Sequence, residues 1–142
     1  MSYQEFALAI DRFIDEDVPE SIGQFARLVA IAGLQKVILK SPVDTGRFRG
    51  AWLVTIGSRT DAAPAAIEGV KKGSRGKGKR GAAAGSDAIN AGLGVIAGAK
   101  PFEAIVIQNN VEYAEALEDG HSTQAPRGML SITLAELEQV FK

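Results

Sequence analysis

The chain has 142 residues, 46% hydrophobic and 23% charged, with a single histidine and no cysteine. That is enough chain for one soluble globular domain with its own core. It excludes disulfides and thiolate metal sites, and a zinc site at His121 would have to be completed by carboxylates. The net charge is −1, but Lys71, Lys72, Arg75, Lys77, Lys79 and Arg80 form one run without an acid, and the other ten basic residues face 17 acidic ones, a balance of −7. An acidic body with one basic segment lacks the basic face of a DNA-binding domain.

The first residues, Met1-Ser-Tyr-Gln-Glu5, are neither basic nor followed by an unbroken apolar block, so no secretory signal is expected. Over 2–15, Phe6, Ile10, Phe13 and Ile14 share one stripe, which predicts an amphipathic helix. Asp15-Glu-Asp-Val-Pro19 predicts its end, with Asp17 capping a second helix and Pro19 in the new first turn. This second helix, 19–40, carries Ile22, Phe25, Ala26, Val29, Leu34, Val37 and Ile38 at helical spacing, widened by Leu28, Ile31 and Leu39. Such a helix is buried on several sides, by its own domain or by neighbouring subunits. Its most apolar stretch, 25–39, contains Arg27, Gln35 and Lys36 and is shorter than the roughly 20 residues of a spanning helix, so no membrane partner is expected.

Ser41-Pro42 stops the helix, and Val43-Asp-Thr-Gly46 predicts a turn. A strand is predicted over 48–56, with Trp52, Val54 and Ile56 on one face. Trp52 reads as a core residue, with an interface anchor as the alternative. Residues 57–85 predict a long flexible loop with a short strand at 66–70. A helix follows over 86–97, although its glycines weigh against it. A second strand is predicted at 102–108, a short helix at 112–118 stopped by Gly120, a loop at 121–126, and a final helix at 128–141 with Leu130, Leu134, Leu137 and Phe141 on its stripe. The order predicts an α+β fold in one domain over 1–142, with a small antiparallel or mixed sheet packed by several helices, one long and buried. A sheet this thin suggests that other subunits complete the core.

Motifs for chemistry are weak. Gly76-Lys-Gly-Lys-Arg-Gly81 matches the spacing of a dinucleotide-binding loop, but no strand precedes it and no helix start follows. Gly92-Leu-Gly-Val-Ile-Ala97 fails likewise, and Gly78 stands where a phosphate loop needs Ser or Thr, so no cofactor is expected. The basic run suits a solvated loop, a contact with DNA phosphates or a contact with an acidic partner; without aromatic residues it does not suit single-strand stacking. Asp119, His121 and Ser122 lack the oriented base of a triad, and Glu112, Glu115 and Asp119 read as a solvated helix face.

Two segments say more. Ser41-Pro-Val-Asp-Thr-Gly-Arg-Phe-Arg-Gly-Ala-Trp52 resembles a signature of the neck and tail-completion (head–tail connector) proteins of long-tailed phages, a family that includes proteins similar to the minor tail protein Z of phage lambda. The stretch from Gln108 through Asn-Asn-Val-Glu-Tyr-Ala to Gln124-Ala-Pro-Arg-Gly-Met129 looks like the second signature of the same family. The resemblance spans about 20–140 and leaves the basic run outside. It implies a structural virion protein, not an enzyme, with no metal or cofactor. Such subunits assemble in the host cytoplasm as a ring of six or twelve copies in the neck or at the head-proximal end of the tail. They join the tail terminator to portal-side head-connector proteins around the DNA channel. On this reading Arg47, Arg49, Trp52, His121, Gln124 and Arg127 are candidate subunit-interface residues. Lys71, Lys72, Arg75, Lys77, Lys79 and Arg80 are candidate contacts for genomic DNA or a partner ring. The alternative function is a nucleic-acid-binding module acting through 71–80.

Overall fold

Ser2 opens the first helix. Its hydroxyl accepts from the Glu5 amide at 3.2 Å while the Glu5 carboxylate accepts from the Ser2 amide at 2.6 Å, a reciprocal cap. In the computed structural model, which describes residues 2–43, 47–61 and 79–142 (for 79–83 the backbone alone), the expected break at 15–19 is absent. Helix α1 (Tyr3–Arg12) passes through a π turn, Phe13–Asp17, directly into α2 (Val18–Lys40). The Val18 amide bonds Phe13 O, five residues back, so the ladder is already offset where Pro19 arrives. A regular helix would press the proline ring against the carbonyl four residues earlier; the wider turn relieves that contact.

The continuous 38-residue helix, Tyr3–Lys40, is long and apolar enough to cross a membrane by length and composition, and 33% of its most apolar window is buried inside the protein. The packing accounts for only one side of it. Helix α2 buries Gly23, Ala30, Gly33, Leu34, Val37 and Ile38, at spacings that define one face, while Ile22, Phe25, Leu28 and Leu39 stay exposed. The described residues therefore cover one side of this helix, not several.

After α2 the chain makes a single helical turn, α3 (Arg47–Gly50), before β1 (Trp52–Ile56), so the strand starts four residues later than its alternation suggests. The Ala51 amide, bonded to Phe48 O at 3.1 Å, closes that turn. Helix α4 (Lys79–Ala97) begins seven residues before the expected Ser86. Its glycines are contact surface. A Cβ on Gly92 would overlap Leu34 Cδ2 and lie 3.0 Å from Val54 Cγ2, and one on Gly85 would lie 2.9 Å from Arg49 Cδ. Close approach to α2 and β1 outweighs the helix propensity that glycine forfeits.

Strand β2 (Ile105–Asn109) pairs antiparallel with β1, Trp52 opposite Asn109 and Ile56 opposite Ile105. It begins three residues later than predicted, because Lys100–Glu103 form a turn in which Phe102 has φ 67°. The core gathers Leu34, Val37 and Ile38 of α2, Phe48, Trp52 and Val54, Ala88 and Ile96 of α4, and Met129. Two short helices complete the chain, α5 (Ala114–Glu118) and α6 (Leu130–Val140). The stripe predicted for α6 is rotated: Thr133 is buried while Leu130 and Leu134 point outward. Leu137 seats against Gly33, and Glu136 accepts from Lys40 and Lys36 at 2.9 Å each, which fixes the rotation. The fold is α+β, as the sequence predicts. The predicted turn at Asp44, Thr45 and Gly46 and the strand at 66–70 lie outside the described residues. So does most of the predicted loop, of which 57–61 are irregular and 79–85 helical.

Because Gly92 meets a fully buried Leu34, replacing it with valine should overpack the α2–α4–β1 contact. Gly92→Val is expected to lower unfolding stability by about 1–3 kcal/mol, read as a shift in the urea midpoint.

Candidate functional site

The C-terminal end of α2 leaves carbonyls without helical partners. The first signature segment supplies them. Ser41 Oγ donates to Val37 O at 2.7 Å and accepts from the Trp52 indole N–H at 2.7 Å, both within the core. Arg49 folds back on the same end, its Nη2 donating to Leu39 O at 3.0 Å and to Ser41 O at 2.8 Å, and its Nε to Ser41 O at 3.2 Å. A guanidinium fork is suited to gathering several carbonyls at once, and its charge complements the negative end of the helix dipole. Partial burial lowers the pKa of Arg49 from its usual value.

The second signature segment is organised around Glu118. Its carboxylate accepts from the amides of Met129, Leu130 and Ser131 at 2.9, 2.9 and 3.0 Å and from the Ser131 hydroxyl at 2.7 Å. A side chain more than ten residues away thus caps the start of α6. Partial burial pushes the Glu118 carboxyl upward, but the four donors outweigh it and hold the pKa below the ordinary carboxylate value. Gly120 (φ 90°) and Gly128 (φ 77°) make the intervening loop possible. A Cβ at Gly128 would stand 2.5 Å from Glu118 O, and one at Gly120 would stand 2.5 Å from Pro126 O.

The two segments meet. Asn109 Nδ2 donates to Phe48 O at 2.9 Å, and the Val43 amide donates to Gln124 Oε1 at 2.9 Å. The Tyr113 ring lies 6.1 Å from Phe48 and carries the Arg47 guanidinium 5.9 Å above its centre. Gln108 grips the Thr60 backbone through both ends of its amide and donates to Asn110 Oδ1 at 2.7 Å. Beside this junction a cavity of about 410 Å³ is lined by Phe48, Trp52, Ile107, Met129, Arg59 and Glu118, among others. Among the described residues its lining contains no serine, cysteine or histidine, and so no such nucleophile–base pair. Among the described residues no three His, Cys, Asp or Glu side chains gather to hold a metal.

The interface candidates separate into two groups. Trp52 is 4% exposed and hydrogen-bonded to Ser41 of the same chain, and Arg49 is turned onto α2, not outward. Arg47 and Gln124 lie at the junction of the two segments, with His121 and Arg127 exposed on the adjoining loop. The His121 amide donates to Ala116 O, and Ser122 Oγ accepts from the Gln124 amide. Lys71, Lys72, Arg75 and Lys77 lie outside the described residues, and Lys79 and Arg80 start α4, with only their backbone described. The glycine pattern 76–81 is split between the two, and that at 92–97 is helix interior. Glu112, Glu115 and Asp119 are exposed, the solvated face that their spacing predicts. Sequence reasoning missed Ser41, Glu118 and Asn109 as tethers. A serine before proline and a glutamate ahead of a Gly…Gly loop were their only signals.

No family model matches the chain, and neither a curated protein nor a solved structure matches it.

Two predictions follow from this geometry. Ser41→Ala strands the buried indole N–H, so it should cost about 1–3 kcal/mol of unfolding free energy. In a double-mutant cycle, Trp52→Phe and Ser41→Ala should be strongly non-additive; additive losses would break the link between the two residues. The second concerns pH. The Glu118 pKa is depressed in the fold, so its contribution is present above the unfolded value and lost as pH falls through the folded one. Glu118→Gln should therefore destabilise the protein by about 1–2 kcal/mol at neutral pH, with the gap from the parent closing as pH drops below 4.5.

Proposed function

We propose that this protein is a structural subunit of a tailed-phage virion, one copy of a ring in the neck or at the head-proximal end of the tail, and that it performs no catalysis. The observation that carries the reading is the convergence of the two signature segments. Residues 41–52 and 108–129 are far apart in sequence, yet they form one unit, hydrogen-bonded from Asn109 to Phe48 and from Val43 to Gln124, with the Phe48 and Tyr113 rings in contact. The resemblance to neck and tail-completion proteins rests on these residues. Their contacts give a physical reason for the two patterns to occur together, in this order.

Two further features support a subunit that functions among copies. The sheet has two strands among the described residues, a thin support for an independent core. Large apolar side chains from Tyr3 to Leu28 stay exposed, which is costly for a monomer in water. The ring, six or twelve copies between a tail terminator and a portal-side connector, is taken from the resemblance. In that setting the basic run at 71–80 would face the DNA channel or an acidic neighbouring ring.

The test is direct imaging. Purified protein, and particles from cells expressing the whole phage, should show closed rings by electron cryomicroscopy, with this chain between head and tail. A monomer at every concentration, binding duplex DNA with a steep salt dependence, would instead favour the nucleic-acid-binding module.

A further inference from the structure

Helix α1 buries none of its residues within its own subunit. Tyr3, Phe6, Ile10, Phe13 and Ile14 lie on one side of it and are 41–86% exposed. The π turn adds a residue to the helix, which brings Ile22 and Phe25 into line with that stripe. Taking about 200 Å² per large side chain, these five residues expose roughly 580 Å² of apolar surface. That is at the upper end of the largest patch of a typical monomer, which is often functional, and below the roughly 800 Å² that each partner of a stable complex buries.

A groove elsewhere on the subunit has the matching character. It lies between α2 and α4, has a volume of about 640 Å³, and is lined by Leu28, Ile31, Leu93, Ile96 and Arg27, among others. The turn at Lys100–Glu103 adjoins it: Pro101 meets Gly23, and Arg27 Nη1 donates to Ala99 O at 2.9 Å. From this turn Phe102 projects 73% exposed at φ 67°, a backbone state that disfavours a bulky residue. An aromatic ring held exposed against its backbone preference, beside an apolar groove, points to contact with another molecule.

We propose that the N-terminal helical arm of one subunit seats in the α2–α4 groove of a second copy. Charge favours this pairing over arm against arm. The arm carries Glu5, Asp11, Asp15, Glu16 and Asp17 against a single Arg12, so two arms side by side would repel. The groove lining itself carries no acid, its Arg27 being paired with Glu20 at 3.3 Å, and Lys100 and Glu103 share the adjoining turn. The same acids disfavour an anionic lipid surface. Folding back onto its own groove would require breaking the continuous helix. Arm into groove is a head-to-tail contact, which closes into a ring or propagates. The proposal shares with the ring reading only the premise that copies associate.

The chain has no cysteine, which makes the test simple. Two single variants, Ile10→Cys and Leu93→Cys, are purified separately, mixed and oxidised. Arm–groove seating gives a mixed dimer containing one chain of each. A dimer of Ile10→Cys alone means that arms meet each other and overturns the proposal. No cross-link in a sample that still forms rings overturns the arm and leaves the ring reading standing; a monomer throughout overturns both. The double variant Phe6→Glu/Phe13→Glu, which touches no buried residue, should keep the parent circular dichroism while raising the dissociation constant at least tenfold by analytical ultracentrifugation. Phe102→Gly should weaken association likewise while leaving the fold intact. Flotation of the parent with phosphatidylcholine vesicles, abolished by Phe6→Glu/Phe13→Glu while its association is unchanged, would overturn the proposal in favour of a lipid surface.

Discussion

The closure of the long helix at Ser41 is the interaction on which the rest depends. Twenty-three residues of α2 deliver a core face, but the chain must then reverse and lay a strand beside it. One hydroxyl makes both ends of that connection, donating to Val37 O and accepting from Trp52. Arg49 fixes the same helix end through three hydrogen bonds to Leu39 and Ser41 carbonyls. With Trp52 placed, the register of β1 against β2 follows, since Trp52 faces Asn109. Asn109 in turn holds the Phe48 carbonyl, so the reversal is tied at both ends. A polar relay in so small a core is costly to break, because each group left behind has no water to turn to.

Much of this was legible in the sequence, and the failures have particular causes. Period 3.6 located α1, α2 and α6, a cap at Ser86 located α4, alternation located β1, and the apolar run Ala104-Ile-Val-Ile107 located β2. Proline at 19 read as a boundary because sequence rules treat the α-helical ladder as the only one; a π turn ahead of it changes the geometry that proline meets. The glycines of α4 read as weakness because propensity describes an isolated helix, whereas Gly92 faces Leu34 and Val54, where no larger residue fits. The stripe of α6 was misplaced because leucines were counted as inward. The pairing of Glu136 with Lys36 and Lys40 rotates the helix, and no periodicity of apolar residues encodes that. The junction between the segments was invisible for a simpler reason: hydrogen bonds such as Asn109 to Phe48 and Val43 to Gln124 span more than 60 residues.

The contrast between the two ends of the chain is also physical. Near the C-terminus, Glu118 satisfies three backbone amides from a loop that needs two glycines at positive φ. Order there is achieved with hydrogen bonds, since the stretch 120–128 offers only Ala125 to the buried apolar core. Near the N-terminus the reverse holds. Helix α1 is capped and regular, rich in large apolar side chains, and has none of its residues buried.

That division bears on what the signature segments specify. Ser41, Trp52, Ala125 and Met129 are 1–4% exposed, and Arg49, Asn109 and Glu118 spend their polar atoms on backbone of the same subunit. A pattern built of such residues encodes a scaffold: the helix end, the strand register and the loop that starts α6. In the ring proposed above, recognition of neighbours would then reside in side chains that the scaffold leaves exposed, such as His121, Arg127, the ring of Phe102 and the arm at residues 2–17. A scaffold can be shared while these surfaces differ. Changes in the signature residues should therefore act through stability, whereas, on the proposal that the arm seats in a second copy, changes on the arm and at Phe102 should act through assembly at unchanged stability. Because none of the residues of α1 is buried, the apolar stripe of the arm can be altered without reshaping the core, so on the proposal above the choice of neighbour could vary while the fold that displays it is held constant.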